Sequence, residues 1–266
     1  MLKFLSFGSG SSGNCYILFT GADCLMIDCG VGIRTLKKHF YNYGLQMSMI
    51  HHILITHDHA DHVKSVGSIS GDLQLPVYAT DGTLQGIRNN WCVRRKIDTK
   101  LTHTINKGEE IQLGEFKVVA FDVPHDSTDC VGYSIEHDGV RFTLVTDCGH
   151  ITEDIAHYIS NYLVIEANHE PEKLAAGPYP RHLKERISGP NGHLSNEACA
   201  LALVQNASPL LRHVWLCHLS DENNHPELAK KTIESILRDS GIIAGKDFIL
   251  DVLKRKTPSE FFELKQ

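Results

Sequence analysis

The 266-residue sequence has no C-x-x-C pair, no apolar run approaching the length of a membrane helix, and no linker, internal low-complexity segment or charge block that divides it. The first absence excludes the usual zinc-finger and redox-dithiol patterns. The eight cysteines, at 15, 24, 29, 92, 130, 148, 199 and 217, are scattered and read as reduced, mostly buried thiols. The second leaves no candidate for a spanning helix, and the opening MLKFLSFGSGSSGNCYIL breaks into Gly and Ser after Phe7, too soon for the apolar core of a secretory leader. A cytoplasmic chain with no membrane contact is expected. Positive charge is also short: 26 Lys and Arg face 32 Asp and Glu, a net charge of −6. Any grip on nucleic acid must therefore be local rather than spread over a basic surface.

What is present is a core's worth of apolar residues, 42% of the chain, and 17 histidines. Strand-like apolar runs separated by turn residues occur at 2–7, 15–19, 24–27, 52–55, 77–79, 110–113, 116–123, 132–137, 141–146, 162–166, 214–217 and 248–252. Helical spacing occurs at 33–43, 63–70, 195–206 with Ser195 as an N-cap, and 226–239 with Pro at its first position. A charged tail follows. Strands and then helix, twice over, predict an α/β fold with two β-layers inside and helices outside, formed as one domain over residues 1–266.

The strongest local signal is Thr56-His57-Asp58-His59-Ala60-Asp61-His62, directly after the run 52–55. An H-x-H-x-D-H string is expected by chance in only about 0.004 copies in a chain of this composition. Alternate residues of an extended turn point the same way, so His57 and His59 can grip one ion. Asp61 and His62 open the next helix, within reach of a second. Three more candidates fall at strand ends: His125, Asp147 and His218. Any one alone is an ordinary polar residue at a strand terminus; three beside the cluster complete a ligand set. Cys29 and Cys148 follow Asp28 and Asp147, and in extended backbone they should point away from it.

These positions resemble the five ordered motifs of the metallo-β-lactamase-fold hydrolases. Asp28 in Met26-Ile27-Asp28-Cys29-Gly30 matches the first, a buttressing Asp; His57 to His62 match the second, His125 the third, Asp147 the fourth and His218 the fifth. The resemblance implies a four-layer αββα sandwich. It also implies two divalent ions, one held by His57, His59 and His125 and the other by Asp61, His62 and His218, with Asp147 bridging. Histidine and carboxylate ligands without Cys suit Zn, Mn or Fe. With the carboxylates and a bridging hydroxide counted, about one positive charge remains at the centre, which favours an anionic substrate. Two ions ~3.5–4 Å apart would ionise the bridging water into a nucleophile.

Fold alone does not choose among lactam, lactone, thioester and phosphodiester. Gly192-His193-Leu194-Ser195-Asn196 resembles the site of the phosphate-contacting His in the nuclease branch. Glu166, in Glu166-Ala167-Asn168-His169-Glu170, sits where tRNA-processing relatives carry the acid that orients it. His193 is thus expected as phosphate contact and general acid, with Glu166 and Asp61 completing the catalytic set. These strings, with residues 9–14, 146–149 and 219–226, resemble the YycJ (WalJ, VicX) branch over nearly the whole chain, cytoplasmic bacterial enzymes similar to 5′-to-3′ DNA exonucleases. Single-stranded or end-exposed DNA is the implied partner. Ser12, Asn14, Arg181, Lys184, Arg186, Ser195 and His225 are candidate substrate contacts. Ser195 and His225 could equally be helix-terminal, the Gly/Ser loop a tight strand connection, and residues 181–186 an ordinary solvated face. Trp91 beside Arg94, Arg95 and Lys96 could form a second cationic patch or another solvated face. A small-molecule metallo-hydrolase and a non-catalytic module are the alternatives.

Overall fold

The computed structural model describes residues 1–266 as two mixed seven-stranded sheets. Strands β1 (Leu2–Gly8), β2 (Cys15–Phe19), β3 (Cys24–Ile27), β4 (His52–Leu54), β5 (Val77–Ala79) and β6 (Thr102–Thr104) lie in that order in the first sheet. The second runs from β7 (Glu110–Leu113) through β8 (Phe116–Asp122), β9 (Val131–His137), β10 (Val140–Val145), β11 (Tyr162–Glu166) and β12 (His213–Cys217) to β13 (Ile249–Val252). In each sheet an antiparallel meander, β1 to β3 or β7 to β10, passes into a parallel half, β3 to β6 or β10 to β13.

Most apolar runs of the sequence have one cause: both faces of the inner strands are covered, while the edge strand β7 keeps exposed positions. Along β1, Leu2 and Phe4 join the layer between the sheets while Leu5 and Phe7 face outward. Along β12, Trp215 and Cys217 point inward and Val214 and Leu216 outward. This is the period of two expected of a strand, with no solvent face left for polar residues. The first outer layer packs under α1 (Ile33–Asn42), α2 (Ala60–Val63), α3 (Val66–Leu73) and α4 (Asp81–Asn89). The second packs under α5 (Glu153–Tyr158), and, beyond the short α6 (Pro171–Ala176) and α7 (Arg181–Ile187), under α8 (Asn196–Asn206) and α9 (Pro226–Asp239). No helix is long and apolar enough to cross a membrane.

The four-layer α/β sandwich agrees with the sequence reading, with two corrections. The tail expected after residue 252 returns as a strand, β14 (Phe262–Leu264), antiparallel to β1, and the Phe262 ring packs tilted against Trp215 with centroids 5.0 Å apart. The helix expected at 63–70 is two pieces, α2 beginning at Ala60 and α3 running to Leu73. Strand β6 and the helices α4, α5, α6 and α7 lay outside the reading. Two glycines in α4, Gly82 and Gly86, weaken its helical signal.

Phe4 sits where the sheets meet, fully buried, with Phe142 and Trp215 each 4.9 Å away. Phe4→Ala should cost about 3–5 kcal/mol of stability, measured by urea unfolding. A loss below ~1 kcal/mol would mean the inter-sheet layer is not the main core.

Candidate metal centre

The parallel strands of each sheet end on one edge, and the two edges meet. Asp28 follows β3, His57 lies just past β4, Asp147 just past β10, Glu166 ends β11 and His218 follows β12. Strand β8 runs with β10, since each is antiparallel to β9, so His125 beyond it arrives at the same edge. Asp28, Asp147 and His218 have φ of 59°, 44° and 52°, a left-handed kink that strands do not allow. At each kink the strand stops and the side chain turns across its end. The His-rich loop is pressed against the first motif: a Cβ on Gly30 would lie 1.5 Å from the Asp61 carbonyl oxygen. No side chain fits there.

The side chains form overlapping groups. One nitrogen each from His57, His59 and His125 lie within 4.8 Å of one another, as do the donor atoms of Asp61, His62 and His218. Asp147 lies between them. Its Oδ2 is 3.2 Å from His62 Nε2, and its Oδ1 is 3.4 Å from His218 Nδ1 and 3.9 Å from His125 Nε2. Neighbouring groups hold the ring orientations. His62 Nδ1 lies 2.7 Å from Asp28 Oδ2, and His125 Nδ1 donates to the Gly192 carbonyl at 3.0 Å, so their Nε2 atoms face the cluster.

The donor set fits divalent metal on one decisive observation. His57 Nε2 is buried and has no hydrogen-bond partner, although a buried ring nitrogen is costly to leave unpaired. It faces two more imidazoles and a carboxylate, a poor hydrogen-bonding environment and a good coordination environment. The protein's own electrostatics agree. Burial, then the neighbouring His62, push the His57 pKa well below its ordinary value, which keeps it neutral and able to bind metal. Burial would raise Asp147, but His218 and His62 outweigh it and hold the carboxylate ionised.

Glu166 is fully buried and joins this centre to the 192–196 loop. Its Oε2 accepts from the backbone N–H groups of Cys148 at 2.8 Å and Leu194 at 3.1 Å. Its Oε1 accepts from His193 Nδ1 at 2.8 Å and His218 Nδ1 at 3.0 Å. His193 therefore turns Nε2 outward, with its ring 5.0 Å from that of His125 and 5.5 Å from that of His218. Burial alone would lower the His193 pKa; Glu166 reverses this and raises it.

The sequence matches the family described as Beta-lactamase superfamily domain over residues 24–218, which contains every one of these side chains. The chain belongs to that family. It is 30% identical over 261 residues to Exodeoxyribonuclease YycJ of Bacillus anthracis, covering 97% of this chain and 98% of that one. It is 33% identical over 249 residues to Exodeoxyribonuclease WalJ of Streptococcus pneumoniae serotype 2 (strain D39 / NCTC 7466), with 92% of each covered. The fold is also that of the metallo-β-lactamase fold protein YhfI from Bacillus subtilis: TM-score 0.71 at 14% identity, over 98% of this chain and 100% of that one. The resemblance read from the motifs is therefore a true membership.

On this beta-lactamase superfamily scaffold the expected substrate contacts divide. Arg186 is at the rim, where its guanidinium pairs with both oxygens of Asp126, one at 3.0 Å, and Asp126 Oδ1 lies 3.4 Å from His125 Nε2. Ser12 is exposed, and its carbonyl accepts from Lys64 Nζ at 2.6 Å. Asn14 is buried beneath the cluster, its Nδ2 2.8 Å from His62 Nε2 and its Oδ1 accepting from Gly10 N; it supports the His loop from below instead of facing open surface. Ser195 caps α8 by accepting from Ala198 N, and His225 caps α9 through Glu227 N, so both are occupied by the helix ends. Arg181 pairs with Glu185 and Lys184 with the Ala175 carbonyl. The cationic run at 94–96 is likewise partly consumed, Arg95 by Asp72 and Lys96 by the Asn90 carbonyl. Cys29 and Cys148 turn away, to Met26 Sδ and the His150 carbonyl.

Several supporting residues had no separate signal. Thr56 donates to Asp28 and contacts His57 Nδ1 at 3.0 Å, Asn168 donates to the His218 carbonyl at 3.0 Å, and Ser9 Oγ accepts from His218 N at 3.0 Å. Each stands inside or beside a motif string, which was the only available hint. Asp28→Ala would strip the partners from Thr56 N and His62 Nδ1, both buried. The variant should lose about 1–3 kcal/mol of stability per orphaned donor and bind divalent metal ~10–100-fold more weakly, by urea unfolding and calorimetric titration. Unchanged metal affinity would remove Asp28 as a buttress.

Proposed function

We propose that the protein is a metal-dependent phosphodiesterase, a 5′-to-3′ exodeoxyribonuclease acting on single-stranded or end-exposed DNA in the cytoplasm, with residues 1–266 working as one domain. The relatives' name, Exodeoxyribonuclease, supports the reaction and the nucleic-acid substrate. Eight free thiols suit a reducing compartment. The ligand assignment follows the clusters: His57, His59 and His125 on one side, Asp61, His62 and His218 on the other, Asp147 between. Bound there, a pair of divalent ions would supply Lewis acidity and a nucleophile at neutral pH.

The observation that carries the reading is the Glu166–His193 pair. It sets an imidazole that is none of the seven proposed metal ligands beside the centre, with Nδ1 3.7 Å from Asp147 Oδ1. Glu166 fixes His193 as an Nδ1 donor, so Nε2 is free to contact a phosphoryl oxygen or to protonate the departing alkoxide. Asp126 holds the Arg186 guanidinium at the same rim, close enough to exchange that partner for a strand phosphate. Asp61 completes the second cluster with Oδ2 3.4 Å from His218 Nε2.

The test offers metal-loaded protein 5′-labelled single-stranded DNA, bis-p-nitrophenyl phosphate and a chromogenic cephalosporin. Cleavage of the phosphodiesters alone is expected; lactam turnover with intact DNA would overturn the assignment. His193→Ala should lower kcat on DNA by about 10²–10⁴-fold while elemental analysis still finds the wild-type metal content. Loss of metal in that variant would make His193 a ligand instead.

A further inference from the structure

The largest side chain left in solvent is Trp91, 86% exposed, in the loop after α4. The other tryptophan, Trp215, is fully buried between the sheets. Trp91 borders an open groove of about 480 Å³ whose wall includes His59, so the groove adjoins the candidate metal centre at that residue. The loop that carries it is pinned. Asn90 Nδ2 donates to the Asp58 carbonyl at 2.7 Å, Asn90 Oδ1 accepts from Cys92 N at 2.9 Å, and Lys96 Nζ donates to the Asn90 carbonyl at 2.7 Å. Val93 anchors the same loop in the outer core. An exposed indole on a fixed loop is a preorganised contact surface, and tryptophan is the residue most enriched where binding energy concentrates.

We propose that Trp91 and this groove form a nucleobase subsite, in which the indole stacks on a base of a single DNA strand whose backbone reaches the His57–His59–His125 side of the centre. The proposal rests on the nuclease reading above and adds where the strand lies. Charge selects the base over the phosphate as occupant. The one acid in the groove, Asp58, is already engaged: its Oδ1 accepts from Thr128 N at 3.2 Å, and Oδ2 lies so close to α4 that a Cβ on Gly86 would meet it at 2.0 Å. A phosphate there would face that carboxylate. A neutral base instead meets the ring, with the exposed Asn89 amide and Thr128 hydroxyl available to its edge. Stacking of this kind tolerates any base, as an exonuclease requires. Arg94, three residues on, is exposed and in no ion pair, so the adjoining phosphate has a cation outside the groove.

Trp91 can be read directly, because Trp215 is out of reach of ligand. Metal-loaded protein is titrated with a short phosphorothioate dT oligomer and with an abasic oligomer of the same length. The dT oligomer should quench fluorescence saturably and the abasic one should not. Trp91→Ala should weaken dT binding, by polarisation of a labelled oligomer, and raise KM on DNA, each about tenfold, with Trp91→Phe recovering most of both. Leu210→Ala, another exposed apolar site, should match wild type. Equal binding of the abasic oligomer, or Trp91→Ala within about twofold of wild type, overturns the subsite even if DNA is degraded normally. Base-dependent quenching by a wild-type protein that degrades no DNA keeps the subsite and overturns the nuclease reading instead.

Discussion

Three carboxylates, Asp28, Asp147 and Glu166, are buried where the two sheets meet, and everything at the site is arranged around that fact. A buried carboxylate with no partners is prohibitively costly, so each must gather donors from whatever segment is near. The donors come from both halves of the chain. Asp28 takes Thr56 and His62 within the first half. Asp147 reaches back across the seam to His62, and Glu166 collects the backbone of two loops together with His193 and His218. His218, from the second half, also approaches Asp61 from the first. The acids thus cross-link the sheets while placing the imidazoles, and folding and site assembly become one event.

The same arrangement explains how an acidic chain can take a polyanion. The net charge is −6, but the acids nearest the centre are already matched by imidazoles, and bound cations would reverse the local sign. Two cations lie near the centre and its groove: Arg186 at the rim on Asp126, and Arg94 unpaired beyond the groove.

Much of this was legible in the sequence because chemistry-bearing residues and strand ends coincide. The string from His57 to His62, and Asp28, His125, Asp147 and His218 after apolar runs, are local patterns, and the structure brings them together. What could not be read depends on distant partners. Ser195 and His225 are local by contrast: the sequence already offered each a helix-terminal role, and each accepts from a backbone N–H in the first turn of its helix. Asn14 lies in a Gly/Ser loop that suggested phosphate contact; it is buried because Gly30 and Asp61 close over it. Strand β14 hides in a charged tail because only alternate residues of an edge strand need be apolar. Helix α4 is obscured by Gly86, whose missing side chain makes room for Asp58.

The left-handed residues show which requirement wins when stability and site geometry conflict. A non-glycine residue at such φ costs about 1–2 kcal/mol, and glycine would adopt it without penalty. Asp28, Asp147 and His218 nonetheless occupy three of the six non-glycine positions of this kind, all at strand ends on one edge. Local hydrogen bonds offset part of the strain: Asp28 N donates to the Leu54 carbonyl at 2.9 Å and His218 N to Ser9 Oγ at 3.0 Å. Asp and His tolerate this conformation better than most side chains, but glycine tolerates it better still. The only gain is the carboxylate or imidazole itself, aimed across the strand end at its counterparts from the other sheet. Strain concentrated at the residues that carry the chemistry, and relieved by neighbours that carry none, is what a site selected for its side chains rather than for its fold would leave behind.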